Sequence, residues 1–204
     1  MTGVTIALIV IVALVVIVLI WAVAQYNGLV RLRNLVQEAW RQIDVELNRR
    51  HDLIPNLVES VKGYAAHERG VFDEVARARA AAAAPGSGPA EQAAQENQLT
   101  QALGRLFAVA EAYPVLRASE NFQQLQAELT NTEDRIAAGR RFYNANVRTL
   151  NTKVESFPSN IVASTFNFKQ AEYFEVEDVA IRSAPAVDFG QSGSGSATPA
   201  PPVV

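Results

Sequence analysis

The chain has 204 residues, a net charge of −3 and no cysteine. This length holds one ordinary domain plus an appendage, the mild acidity lacks the electrostatic footprint of a nucleic-acid binder, and the missing thiols exclude disulfides, cysteine nucleophiles and Cys-based metal sites. Although 49% of residues are apolar, the surplus sits at one end: residues 1–30 carry no charged side chain, and everything from Arg31 onward reads as a polar, water-compatible domain.

After a short tail at residues 1–3, Val4 to Ala24 runs VTIALIVIVALVVIVLIWAVA, with Thr5 its one polar residue. As a helix this segment is roughly 31 Å long, the thickness of a bilayer's hydrocarbon core. Trp21 and Tyr26 stand at its end, where amphipathic rings favour the membrane–water boundary. A cleaved signal peptide is the alternative, suggested by Ala22-Val23-Ala24; against it stand the missing early Lys or Arg and the length of the apolar stretch. Arg31, Arg33 and Arg41 follow the span, so the positive-inside rule predicts an outside N-terminus and a cytoplasmic domain.

Leu29, Leu32, Val36, Ala39, Ile43 and Leu47 recur every three or four residues and predict a helix. No proline separates it from the apolar span, so the two are expected to be continuous, with Gly28 a candidate hinge because glycine weakens a helix by about 1 kcal/mol. Asp52 followed by Pro55 reads as a helix start. It predicts a break near His51–Leu53, a second hinge at Pro55, and a new helix carrying Ile54, Leu57, Val58, Val61, Ala65, Phe72 and Val75. Pro85-Gly86-Ser87-Gly88-Pro89 marks a loop.

A third helix shows Leu99, Leu103, Leu106, Ala110 and Tyr113, and stops at Pro114. A fourth carries Phe122, Leu125, Leu129, Thr132, Ile136, Gly139, Tyr143, Asn146 and Leu150, a 3.5-residue repeat of coiled-coil type suited to bundle packing, and stops at Pro158. Lys169–Val179 is expected to be an extended strip or a short helix. Within it Tyr173-Phe174-Glu175 is expected to fold back on the helices, while Val187-Asp188-Phe189 is left open between fold-back and docking. Residues 183–204, rich in Ser, Gly, Pro and Ala, predict a disordered tail. The fold class is therefore all-α: a single transmembrane helix followed by an up-and-down four-helix bundle over residues 26–180.

No residue pattern supports a reaction or a cofactor. The two histidines, His51 and His67, lack the spacing of a metalloprotease helix. Asp44, Glu59, Glu68 and Glu133 lack the Glu-x-x-His pairing of di-iron bundles, so Asp44 and Glu59 are expected to pair with Arg49, Arg50 or Lys62. No phosphate loop or nucleophile elbow is present. Residues singled out for interaction or packing are Asn27, Arg33, Asn34, Trp40, Asp44, Asn144, Tyr173 and Phe174. Tyr26-Asn27-x-x-Val30-Arg31-x-x-Asn34 is echoed by Tyr143-Asn144-x-x-Val147-Arg148-x-x-Asn151. Such polar residues beside an apolar stripe serve either as a partner-facing seam or as ordinary core-edge hydrogen bonds.

Several blocks together resemble the LemA family. They include Tyr26-Asn27, Leu32-Arg33-Asn34, Glu38-Ala39-Trp40, Ile43-Asp44-Val45, Arg49-Arg50, Asp52 to Glu59, Val61 to Ala65 and His67-Glu68. The series continues with Glu111 to Pro114, Phe122, Leu125-Gln126, Thr132-Glu133, Tyr143-Asn144, Asn151-Thr152, Phe157-Pro158 and Tyr173 to Glu175. Leu150 departs from the aromatic often found there. The resemblance implies a single-pass protein of the bacterial inner membrane with a cytoplasmic helical bundle and no established activity. The expected function is that of a membrane-anchored scaffold or adaptor, with a sensor module as the alternative and a hydrolase a distant third. Expected partners are the lipid bilayer and a second copy or another membrane protein, without nucleic acid or a small-molecule substrate.

Overall fold

A computed structural model of the chain describes residues 2–175, all helical apart from the connections and a final extended strip, with no strand among the described residues. Residues 176–179 of the expected strip or helix, the tail at 183–204 and Val187-Asp188-Phe189 lie outside the described residues. Among the described residues six helices follow in order: α1 (Thr2–Lys62), α2 (Arg69–Ala82), α3 (Pro89–Glu111), α4 (Pro114–Arg117), α5 (Glu120–Glu155) and α6 (Ser159–Thr165).

α1 is one unbroken helix of 61 residues, about 90 Å long. Its first part is apolar and exposed on every side; burial begins at Leu29 and continues at Val36, Ala39, Ile43 and Leu47. Gly28 lies inside it, and a Cβ there would meet the flexible end of Lys153.

The break expected near His51–Leu53 is not there. α1 continues through Pro55, and the chain turns at residues 63–68 instead, where Tyr64 and Ala65 both donate their amides to the Val61 carbonyl. Proline inside a helix removes the hydrogen bond to the carbonyl four residues earlier, which here is that of His51. Arg79, on α2, donates its Nε to that carbonyl at 2.6 Å. The cost of the proline is thereby offset by a side chain that no local pattern around Pro55 contains. We expect Arg79→Leu to destabilise the fold by about 1–3 kcal/mol, the cost of a buried acceptor left unmet. In a Pro55→Ala background, where a restored backbone amide serves the same carbonyl, that loss should shrink in a double-mutant unfolding cycle; equal losses in both backgrounds would refute the compensation.

α5 runs antiparallel to α1: Lys153 lies against Gly28, Gly139 against Ile43 and Glu128 against Arg49. At Gly139 an added Cβ would stand 3.1 Å from Ile43 Cγ1, so glycine permits the close approach of the two helices. α2 and α3 form a second pair, joined by a turn in which Gly86 adopts φ +99, a backbone state glycine takes at little cost. Pro89 starts α3 at a position where proline is preorganised for a helix.

Burial divides into two clusters. The one farther from the apolar end gathers Ile54, Leu57 and Val61 of α1, Phe72 and Val75 of α2, Leu99, Leu103 and Leu106 of α3, Leu116 of α4, and Phe122 and Leu129 of α5. In the nearer cluster, α1 and α5 are covered by α6 and the final strip, through Val162, Ala163, Phe168 and Phe174. Along α5 the buried register passes from Tyr143 to Val147 and Leu150, not through Asn146, whose side chain turns back to the Phe142 carbonyl. A straight helix of 3.6 residues per turn drifts off a strict 3.5-residue repeat.

Candidate functional site

Where the two clusters meet, the α1 stripe places Arg50 and His51 in core register, 2% and 4% exposed, and α3 places Gln92 and Glu96 opposite them. Burying charge this deeply demands partners. Arg50 Nη1 donates to Glu96 Oε2 at 2.6 Å and Nη2 to Thr100 Oγ1 at 2.7 Å, while Nη2 also pairs with Glu133 of α5 at 2.7 Å. The second Glu96 oxygen accepts from His51 Nε2 at 2.8 Å and from Gln92 Nε2 at 3.1 Å. Gln92 also donates to the Ala82 carbonyl at the end of α2. One guanidinium thus binds α1, α3 and α5 in a single layer, and Gln92 ties in α2.

Because an ionised carboxylate only accepts, the bond to Glu96 fixes the proton of His51 on Nε2. His51 Nδ1 and Arg50 Nε have no hydrogen-bond partner among the described residues. A cavity of about 400 Å³ opens beside this layer, lined by His51 and Gln92 together with Trp40, Asp44, Asn48 and the 82–87 turn. No group of three or more His, Asp and Glu among the described residues is placed to hold a metal ion; arginine fills the carboxylate corner instead.

The layer couples to pH. Burial by itself raises the Glu96 carboxyl, but the His51 hydrogen bond and the Arg50 guanidinium outweigh it, and the group lies below its ordinary value of 4.5. A carboxyl depressed on folding contributes stability above its unfolded value, lost as pH falls through the folded one. Glu133 is raised, chiefly by burial and despite Arg50, which works in the opposite sense. Its side chain is 41% exposed, so solvent screens that contribution. In urea unfolding at a series of pH values, the stability gap between the natural chain and Glu96→Gln should narrow as pH drops from about 7 towards about 3; a constant gap would contradict this assignment.

A second arrangement closes the nearer cluster. Asn151 donates Nδ2 to the Ala171 carbonyl at 3.0 Å and accepts the Ala171 amide at 2.8 Å; Asn144 does the same with Phe174, both at 3.0 Å. Seven residues of helix advance about 10.5 Å and three residues of extended chain about 10 Å, so the two asparagines match alternate stations of an antiparallel strip. Tyr143 adds its hydroxyl to the Glu172 carbonyl at 2.8 Å; burial and Glu172 push that phenol up to about 12. Phe174, fully buried, then seats against Trp40, whose ring also packs on Tyr143.

The residues singled out in the sequence are therefore dispersed. Trp40, Asn144, Tyr173 and Phe174 converge on the strip. Arg33 lies over the Phe168 ring at 5.3 Å. Asn27 and Asn34 face an open groove along α1 with Arg31 and Arg41, so the echo with α5 is not matched by a second clamped strip among the described residues. Asp44 borders the cavity beside His51 and makes no ion pair among the described residues, while Glu59 pairs with Lys62 at 2.7 Å. Gly28 and Pro55 both lie within α1. The sequence expectations do not include the charged layer; its signal is that positions 50, 51, 92 and 96 continue the helical spacing of their apolar neighbours.

The family model described as "LemA family" matches residues 39–189. The chain is 30% identical over 176 residues to magnetosome protein MamQ 2 of Paramagnetospirillum magneticum, covering 74% of this chain and 65% of that protein. It is 27% identical to magnetosome protein MamQ of Magnetospirillum gryphiswaldense, covering 74% and 64%. Against protein LemA of Metamycoplasma hominis it is 27% identical over 160 residues, covering 77% and 72%. The chain thus spans just under two thirds of the length of the MamQ relatives.

Proposed function

The chain belongs to the LemA family, and on that premise we propose that it is a membrane-anchored helical scaffold or adaptor, with no reaction of its own. The observation that carries this reading is α1: the same helix is apolar apart from Thr5 and exposed from Val4 to Ile20, and packed into a core from Leu29 onward. A rigid rod of this kind holds the body at a fixed distance from whatever surrounds the apolar segment. At its finest the proposal takes α1, α2, α3 and α5 as an up-and-down four-helix bundle. It places the body on the cytoplasmic side of the bacterial inner membrane, because Arg31, Arg33 and Arg41 follow the span.

Crosslinking in native membranes followed by pull-down of the full chain tests the adaptor role. A recurrent protein partner, or a homo-oligomer, is the expected result; a monomer without partners would remove it. A sensor reading is favoured by one feature, the charged layer whose members come from α1, α3 and α5, since moving α1 would break it.

A further inference from the structure

The connection after α5 lies beside the point where α1 leaves its apolar segment. Val162 and Ala163 of α6 are buried in the cluster that includes Leu29, with Trp21 and Ala22 packed on its edge. The Tyr26 ring stands 4.8 Å from that of Phe166 and 5.7 Å from that of Phe168. Tyr26 is two residues past Ala24, about 3 Å along the helix, whereas the interfacial zone outside each face of the hydrocarbon core is about 5–8 Å deep.

From Ser156 to Phe168 the sequence SFPSNIVASTFNF carries no charged residue; Glu155 precedes it and Lys169 follows it. With its inner face committed to α1, the segment still exposes Phe157 at 80%, Ile161 at 54% and Phe166 at 56%. Large apolar side chains gathered at the edge of a body are unfavourable in water and mark a contact surface. Exposed apolar side chains on an uncharged segment suit the boundary between acyl chains and headgroups.

We propose that the Ser156–Phe168 corner is a second membrane contact, bedding Phe157, Ile161 and Phe166 into the leaflet that α1 has just crossed. The occupant is lipid, argued from continuity with the apolar stretch of α1. The body is then attached at two points and cannot swivel about α1, which fixes the face it offers to partners. This rests on α1 spanning the bilayer.

The natural chain lacks cysteine, so single spin labels can be placed on the full protein in nanodiscs containing anionic lipid. Phe157→Cys, Ile161→Cys and Phe166→Cys are compared with Leu14→Cys inside the span and Val115→Cys, exposed at the opposite end of the body. The ratio of oxygen to nickel-chelate accessibility at the three corner sites should exceed that at Val115 several-fold. Corner values equal to Val115, with Leu14 in lipid, would overturn the second contact and leave the span intact. A water-exposed Leu14 would overturn both. Spin–spin broadening at Ile161 that disappears on dilution with unlabelled chain would assign the corner to a second copy and overturn the lipid contact.

Discussion

Replacing Arg50 with Met is expected to cost about 3–5 kcal/mol, the magnitude found when one partner of a buried ion pair is removed. The Arg50 and Glu96 side chains are 3% and 4% exposed, so water cannot take over the lost interactions. The variant leaves the Glu96 carboxylate with its His51 and Gln92 hydrogen bonds alone, and leaves Glu133 without its cation. For a body of this size the loss lowers the unfolding midpoint by roughly 6–20 °C. The double variant Arg50→Met, Glu96→Leu should recover part of the stability, because it removes the unpaired buried carboxylate but takes the acceptor from His51 Nε2. Thermal unfolding followed by circular dichroism decides the matter; a single variant as stable as the natural chain would show that the layer contributes nothing.

Arginines at the centre of the apolar segment should release the chain from membranes. Each costs about 2.5–3.5 kcal/mol at mid-bilayer, so Val12→Arg with Val16→Arg, counting the lost apolar contribution, swings insertion by about 6–8 kcal/mol. Both positions are exposed and outside the packed body, which should therefore keep its helical spectrum. Alkaline extraction should leave the natural chain and a Val12→Leu, Val16→Leu control in the pellet and move the arginine variant to the supernatant. An arginine variant still resistant to extraction would mean that α1 is not what holds the chain.

The all-helical class and the apolar segment are legible because they rest on composition and local period; continuity with the first packed helix is not, because Gly28 offers a hinge that the sequence alone does not close. The stripes at Leu29 to Leu47 and Ile54 to Val61 are two parts of one helix. They looked separate because Arg50 and His51 fill the intervening core positions, and because Asp52 and Pro55 carry the chemistry of a helix start. A start signal and a charged layer use the same residue types. What distinguishes them is the partners, Glu96 and Arg79, which lie 28 or more residues away in sequence and make no local pattern. The apolar pattern of α3 begins at Leu99 for the same reason, since its first buried positions include Gln92 and Glu96.

The strip, described as far as Glu175, is readable in part. Tyr173-Phe174 announced fold-back by being aromatic, but its extended form depends on Asn144 and Asn151, which supply hydrogen bonds that a neighbouring strand would otherwise give. Both asparagines stood out as polar residues beside an apolar stripe. Their spacing became meaningful only once the strip lay along α5.

The proposed fixed anchoring of the body and the proposed lipid contact of the Ser156–Phe168 corner both depend on α1 being a single rod from the apolar segment into the core. Spin labels at Val23→Cys and Glu59→Cys on the full chain in nanodiscs bracket both Gly28 and Pro55. An unbroken helix separates these positions by about 54 Å, and electron–electron resonance should return one narrow distribution near that distance. A shorter, broad or two-peaked distribution would mean that the helix bends at Gly28 or Pro55 and would contradict the rod.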